Sequence, residues 1–340
     1  MKRTLIALGV AAAVVAPMAN AAPKVYGKLN VTVENFKDDA VADGSADTSR
    51  LVSNASRFGV KGEDELTANL SAIYQIEWEV NTDDADPTAD NFDLTARNRY
   101  LGLKHATYGA IKLGQFDSAL KLAQGEADLF NDYFGDIKTV QAGENRLKNL
   151  VEYSSPKYAG FQAIVQTQTN DTTKDAAGTK GSDAAGSSYS VTYSNEEIGL
   201  YGAIGLDRDV KGKGAVFSDD VQRNNERAVA TYKIDDLFLS AMYTRSEIAD
   251  GVNTATKKKE TGYSVGASYV LGDEVLKAQY GKGSAKDFND EVKVWSVGVD
   301  HNFTSKTKAL AFYTKLDADN NAGKTIKDQS VIAVGLEHKF

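Results

Sequence analysis

The chain has 340 residues, a formal net charge of −8 and no cysteine. The acidic balance disfavours a nucleic-acid partner, and the missing cysteines exclude a fold held together by disulfides. After the first residues no apolar run reaches the roughly 18 residues that a membrane-spanning helix needs.

The amino terminus has the pattern of a secretory signal peptide. Lys2 and Arg3 precede an apolar run over residues 4–15, and Ala19-Asn20-Ala21 offers small side chains at the spacing of a cleavage site. We predict cleavage after Ala21, so that 1–21 is the signal peptide and the remaining 319 residues (340 − 21) form one domain over 22–340. Loss of Lys2 and Arg3 takes the net charge from −8 to −10.

The exported part alternates apolar and polar residues. In its first segment Val25, Leu29 and Val33 share one face, and Lys28 and Asn30 share the other. Period-two alternation with one apolar face predicts a strand. The pattern predicts about sixteen strands, over residues 24–34, 57–63, 70–80, 96–105, 110–115, 146–154, 161–168, 189–193, 198–206, 227–233, 237–245, 263–271, 276–280, 295–303, 308–315 and 332–340.

The connections between these strands alternate in length. Long polar stretches such as 37–54, 81–94 and 116–145 alternate with tight turns such as the one near Thr107. In an antiparallel up-and-down sheet this places every long loop at one end and every tight turn at the other. The third long loop, 116–145, carries an unusual density of acidic residues.

The polar strand faces argue against a soluble fold. They carry cations such as Lys28, Arg57 and Arg97 together with many amides and hydroxyls, which a dry core would leave without hydrogen-bond partners. An all-β transmembrane barrel solves this problem with water inside and lipid outside, and lipid requires the sheet to close. Two soluble β-domains are the alternative.

Several segments resemble the general diffusion porins of Gram-negative outer membranes. They are Val25 to Lys28, Arg57 to Glu63, Arg97 to Lys104, Leu113-Gly114, Arg146 with Tyr153 to Pro156, Gly160-Phe161, and Val334 to Phe340. The resemblance covers the whole exported chain. It implies a sixteen-stranded barrel that assembles as a homotrimer, with a water-filled pore narrowed by the third long loop, which folds into the lumen.

The same resemblance assigns roles to individual residues. It places acids of the third loop, Asp128 and Asp132, opposite a basic wall, and Asp136 lies in the same acidic run. The residues that match the basic wall are Lys28, Arg57, Arg97 and Arg146, and Arg99 shares their face by its parity with Arg97. Gln115 stands where many members of the family carry Arg. The carboxy-terminal Phe340 resembles the signal by which the barrel assembly machinery recognises such chains.

No catalytic, cofactor or metal site is expected, because no nucleophile-histidine-acid set or zinc spacing occurs. The sequence therefore predicts a non-enzymatic channel for passive diffusion of ions and small hydrophilic solutes, with a mild preference for cations. Outer-membrane lipid and lipopolysaccharide are the expected surroundings. A substrate-specific channel and an adhesin or receptor barrel are the alternatives.

Overall fold

The computed structural model describes residues 22–40, 46–83, 94–169, 185–217, 220–250, 258–285, 290–320 and 324–340. The predicted signal peptide lies outside these residues. Within them nearly all regular structure is β-strand. The strands are β1 (Lys24–Asp38), β2 (Ala46–Ser53), β3 (Arg57–Thr67), β4 (Leu70–Val80), β5 (Leu94–His105), β6 (Gly109–Asp117), β7 (Arg146–Ser154), β8 (Phe161–Gln168), β9 (Ser187–Asn195), β10 (Leu200–Gly212), β11 (Val221–Ile234), β12 (Leu237–Ile248), β13 (Lys259–Leu271), β14 (Glu274–Ala285), β15 (Asp290–Asn302), β16 (Thr307–Asp319) and β17 (Thr325–Lys339).

These segments form one closed antiparallel barrel of sixteen strands. Each strand pairs with its neighbours in sequence, and β17 returns to pair with β1 from Lys28 opposite Lys339 to Asp38 opposite Gln329. Two segments, β2 and β3, share a single place in the wall, because both pair with β1 end to end. The break between them contains Ala55, whose φ is 49°. The predicted closed barrel and its strand number are confirmed.

The wall is apolar outside and polar inside. Along β1, Val25 and Val33 are exposed, whereas Asn30, Thr32 and Glu34 are buried. Along β12 the exposed Leu239 and Tyr243 alternate in the same way with buried Ser240 and Thr244. An exposed apolar face and a polar interior are the arrangement of a transmembrane barrel. Among the described residues no helix has the length and apolarity to cross a membrane.

The strands run further toward the long-loop end than the alternation predicted. The expected loop 37–54 contains β2, β10 continues to Gly212, and β17 already begins at Thr325. Residues there still form the backbone ladder, as the pairing of Val210 with Arg223 and of Gly212 with Val221 shows. The predicted loop boundaries were therefore wrong at this end of the barrel.

The segment between β6 and β7 is the longest described connection and it is compact. It contains a helix, α1 (Ala119–Leu122), and a 3₁₀ turn at Ile137–Thr139. Its side chains build apolar clusters with the buried face of the wall, one of them around Phe130 and Tyr133 with Leu310, Phe312, Val331 and Ala333. Burial of these rings supplies the hydrophobic driving force for docking the segment.

Candidate functional site

The segment 116–145 is shaped by carboxylates and hydroxyls that bond its own backbone. Ser118 caps α1 by accepting from the Lys121 amide at 3.1 Å. Asp136 caps the 3₁₀ turn by accepting from the Lys138 amide at 2.8 Å, and its other oxygen accepts from the Asp132 amide at 3.1 Å. Capping satisfies amides that the short helical turns leave without partners.

Side chains of the wall hold this segment along much of its length. Gln166 accepts from the Ala119 amide at 2.8 Å, and the Tyr201 hydroxyl donates to the Ala123 carbonyl at 2.9 Å. Further along, Ser240 donates to the Ala127 carbonyl at 2.8 Å. The wall residues involved belong to β8, β10 and β12, so the segment follows the buried face of successive strands.

Arg227 of β11 fastens the carboxyl end of the segment. Its guanidinium donates to Glu144 Oε1 at 2.6 Å and to the Ala142 carbonyl at 2.8 Å. Arg227 is 2 % exposed, so these acceptors offset the cost of burying its charge. Sequence reasoning missed this pair. The sequence did indicate that Arg227 lies on the polar face of β11, because Arg227 has the same parity as Asn225 and Thr231.

The tip of the segment packs closely on β15 and β16. Tyr133 lies 5.2 Å from the ring of Phe312 and its hydroxyl accepts from Asn30 Nδ2 at 3.1 Å. Gly135 sits so near the wall that an added Cβ would lie 2.1 Å from Ser296 Oγ. A larger residue at this position would force either the Ser296 side chain or the tip to shift.

Asp132 is the loop acid that contacts the predicted basic wall. Its Oδ2 lies 2.8 Å from Lys28 Nζ and 3.4 Å from Arg57 Nη1. Burial alone would raise the pKa of Asp132, but Lys28 and then Arg57 outweigh it and hold the pKa below its ordinary value. Lys28 is shared with Glu337, 3.7 Å away on β17.

Asp128 and Asp136 lie in the same turn but bond mainly within the segment. Asp128 accepts from the amides of Phe130 and Ile137, each at 3.1 Å, and from Gln279 Nε2 at 2.8 Å. Burial, followed by the repulsion of Asp136, raises the pKa of Asp128 to about 7. Asp136 also lies 3.4 Å from Lys138 Nζ. The geometry gives these two acids a role in shaping the tip.

Arg97 and Arg146 are paired with acids of the wall. Arg97 Nε lies 2.7 Å from Glu77, and its Nη1 lies 2.5 Å from Glu79. Arg146 Nε lies 3.1 Å from Asp117 on the adjacent strand β6. The three wall acids were not predicted, although Glu77 and Glu79 share one parity on β4. The basic wall is therefore accompanied by acids along β4 and β6.

Arg99 does not join this cluster, because β5 contains a bulge. Ile76 pairs with Arg99 whereas Trp78 pairs with Ala96, so two residues of β5 oppose Glu77 alone. The extra residue reverses the side-chain direction, and Arg99 lies on the exposed face with Leu101 and Leu103. The parity argument that grouped Arg99 with Arg97 fails at this bulge.

Phe340 lies at the seam where the barrel closes. Its amide and carbonyl exchange hydrogen bonds with those of Gly27, both at 3.1 Å. The ring covers Gly27, where an added Cβ would lie 2.5 Å from Phe340 Cζ. The carboxy-terminal residue thus extends the ladder between β17 and β1.

The chain has clear relatives. A model of the Gram-negative porin family matches residues 7–321. The major outer membrane protein P.IB of Neisseria lactamica is 26 % identical over 357 residues and that of Neisseria meningitidis serogroup A is 28 % identical over 358, with both chains covered completely in each case. An anion-selective porin from Comamonas acidovorans has a similar structure, with a TM-score of 0.71 at 21 % identity over 94 % of this chain and 99 % of that one. OmpF of Salmonella typhi, in a complex with daunomycin, has a TM-score of 0.68 at 17 % identity over 94 % and 97 %.

A closed sixteen-stranded barrel with an apolar outer face, a polar inner face and a family match over most of its length leaves one assignment. The chain belongs to the Gram-negative porin family and is an outer-membrane channel for passive diffusion.

Proposed function

We propose that the channel passes ions and small hydrophilic solutes and that the segment 116–145 narrows it from within. The observation that carries this proposal is the attachment of the segment to the inner wall from β8 around to β1. The exposed side chains of its free edge include Leu122, Glu126, Asn131 and Lys138. The passage then runs between this edge and the wall strands that carry Arg97 and Arg146.

The charges around this passage favour a transverse field. Asp132 brings a negative charge to Lys28 and Arg57, while Arg97 and Arg146 stand on the wall opposite the free edge. Opposed fixed charges across a narrow water-filled space orient polar solutes and hinder apolar ones. Asp128 and Asp136 contribute by holding the tip in place.

We expect a mild preference for cations. Each basic residue of the wall cluster has an acid beside it: Asp132 for Lys28 and Arg57, Glu77 and Glu79 for Arg97, and Asp117 for Arg146. These partners reduce the field that the cations present to a passing anion. The relative from Comamonas acidovorans is described as anion-selective, so the sign of the preference is a sharp test for this chain.

We also propose how the channel is exported, inserted and assembled. One structure of OmpT from Vibrio cholerae is a trimer form, and we propose a homotrimer for this chain as well. We also propose that residues 1–21 are removed on export and that Phe340 directs insertion through the barrel assembly machinery. Lipopolysaccharide is the lipid partner that an outer-membrane location supplies.

Reconstitution of the purified protein tests the proposal. In a planar bilayer it should produce stepwise conductance increments. A salt gradient should give a reversal potential with the sign that a cation-preferring channel produces. Liposomes containing the protein should swell in small sugars and stop swelling as the sugar grows. A silent bilayer together with impermeable liposomes would overturn the proposal, and an anion-side reversal potential would overturn its selectivity part.

A further inference from the structure

Residues 213–217, which follow β10, lie against the inner side of the wall. Glu260 of β13 accepts from the three successive amides of Ala215 to Phe217, at 2.9, 2.9 and 3.2 Å. Glu260 belongs to the buried polar face of β13 and is 3 % exposed. A stretch at the long-loop end therefore turns inward and is held by a strand three places further along the chain.

Arg223 of β11 completes this attachment. Its Nη1 lies 3.6 Å from Glu260 Oε1, and its Nη2 donates to the Phe217 carbonyl at 3.3 Å. Arg223 is fully buried, so the guanidinium and the carboxylate offset the cost of burying each other's charge. Hydrogen bonds that a carboxylate accepts are roughly twice as strong as those between neutral groups. Glu260 is thus the group that fixes residues 213–217 most firmly.

Two glycines let the segment 116–145 approach the backbone of the wall closely. An added Cβ would lie 2.0 Å from the Val140 carbonyl oxygen at Gly262 and 2.7 Å from the same oxygen at Gly283. Gly262 of β13 and Gly283 of β14 pair directly with each other. Val140 therefore lies on bare backbone at the carboxyl end of the segment, and it is buried.

Residues 213–217 meet the segment 116–145 at one of these glycines. The Cβ added at Gly283 would also lie 3.2 Å from Val216 Cγ2. Val140 and Val216 therefore border the same point of the wall. Because protein interiors are closely packed, displacement of Val216 would leave a gap beside Val140.

We propose that Glu260 is a positioning residue for the segment 116–145. By holding residues 213–217 against the wall it keeps Val216 beside Val140, and the carboxyl end of the segment stays seated on β13 and β14. The consequence for the channel rests on the proposed function, in which this segment narrows the passage. Loss of the Glu260 carboxylate then lets the passage fluctuate in width, and the open-channel current becomes noisier.

Cysteine accessibility in the full-length barrel tests this positioning. The chain contains no cysteine, so Val140→Cys introduces a single thiol at a buried position. Its reaction with a small water-soluble thiol reagent should become about tenfold faster when Glu260→Gln is added, because Gln brings no charge to the three amides or to Arg223. Ala127→Cys places a thiol at an equally buried point nearer the amino end of the segment. Its rate should change by no more than about twofold.

The matched control is Glu291→Gln. Glu291 lies at the same end of the barrel on β15 and pairs with Lys282 and Lys293, each at 2.5 Å. The substitution removes the same charge without touching residues 213–217, so both thiols should react at their wild-type rates. If Glu260→Gln fails to assemble, Val216→Ala leaves the carboxylate in place and should speed the reaction at Val140→Cys about threefold.

Two results would overturn the proposal. The first is an unchanged rate at Val140→Cys in the Glu260→Gln barrel, and the second is an equal rise at Ala127→Cys, which would mean that the whole barrel is loosened. Single-channel recording separates this result from the pore. A faster reaction at Val140→Cys with wild-type current noise would support positioning by Glu260 and contradict narrowing of the passage by the segment 116–145.

Discussion

Asp132 is the acid of the loop tip that contacts Lys28 and Arg57 of the wall. It accepts from Lys28 and Arg57 at the point where the segment 116–145 comes back to β1 and β3. Hydrogen bonds between charged groups contribute about 1.5–3 kcal/mol each when they are shielded from water. In the proposed channel we therefore expect Asp132 to have two separable effects, one on the charge of the passage and one on the stability of the tip.

Substitution of Asp132 tests both effects. In Asp132→Asn the wall cations lose their loop partner, so the reversal potential should move toward anions and the open-channel noise should increase. The control is Glu126→Gln, which removes the same charge from the exposed edge without touching Lys28. It should move the reversal potential alone. Equal noise in the two variants would mean that Asp132 does not hold the tip.

Asp128 gives the tip a dependence on pH. Its pKa is raised to about 7 by burial and by Asp136, above the ordinary value of 3.8. The docked tip therefore binds this proton more tightly than the undocked tip does, so docking is strongest below the ordinary pKa and weakens as the pH rises through 7. The hydrogen-exchange protection of the Ile137 amide, corrected for intrinsic rates, should fall roughly a hundredfold from pH 5 to pH 8.

The variant Asp128→Asn is the control for this pH effect. Its side chain stays neutral, so protection at Ile137 should no longer change over the same pH range. Protection is expected to be lower throughout, because Asn keeps one side-chain oxygen and must turn its Nδ2 toward one of the N–H donors from which Asp128 accepts. A protection factor that rises with pH in the wild type would contradict the assignment.

At the scale of the strands, closure depends on one small residue. Gly27 lies beneath Phe340, and an added Cβ would also lie 2.6 Å from the Arg57 carbonyl. Gly27→Ala should therefore lower the temperature at which the barrel unfolds, since overpacking costs typically 1–3 kcal/mol. Gly202→Ala is the matched control, because a Cβ there meets nothing nearer than the Val229 carbonyl at 3.9 Å. The gel mobility of samples that have not been boiled shows whether each of the two variants is still folded. Equal unfolding temperatures of Gly27→Ala and Gly202→Ala would contradict tight closure at Phe340.

The strands also show which structural features could be predicted from the sequence. Alternation predicted the wall because each side chain faces either lipid or water, as Val33 and Glu34 do on β1. It could not predict the bulge at Arg97, since one extra residue leaves the composition of β5 unchanged while it turns Arg99 outward. The family resemblance pointed to the charged residues, but the wall acids Glu77 and Glu79 become partners of Arg97 only in the folded register.

At the scale of the whole molecule, the barrel wall and the segment 116–145 have different roles in the proposed channel. The wall alone encloses a polar space, and wide barrels of sixteen strands leave an aqueous channel. We propose that the segment 116–145 determines how much of that channel stays open. The Ile137 amide donates to Asp128, so the two ends of the tip lie close together. We therefore expect that the residues between them can be removed with little change to the rest.

Single-channel conductance after deletion of Asp128 to Asp136 is the most direct test of this account. The shortened chain keeps the anchors at Tyr201, Ser240 and Arg227, so the barrel should still assemble and show normal gel mobility. Its conductance in the same salt should exceed the wild-type value by roughly half or more, and larger sugars should enter liposomes. An assembled barrel with unchanged conductance would show that the segment does not narrow the pore.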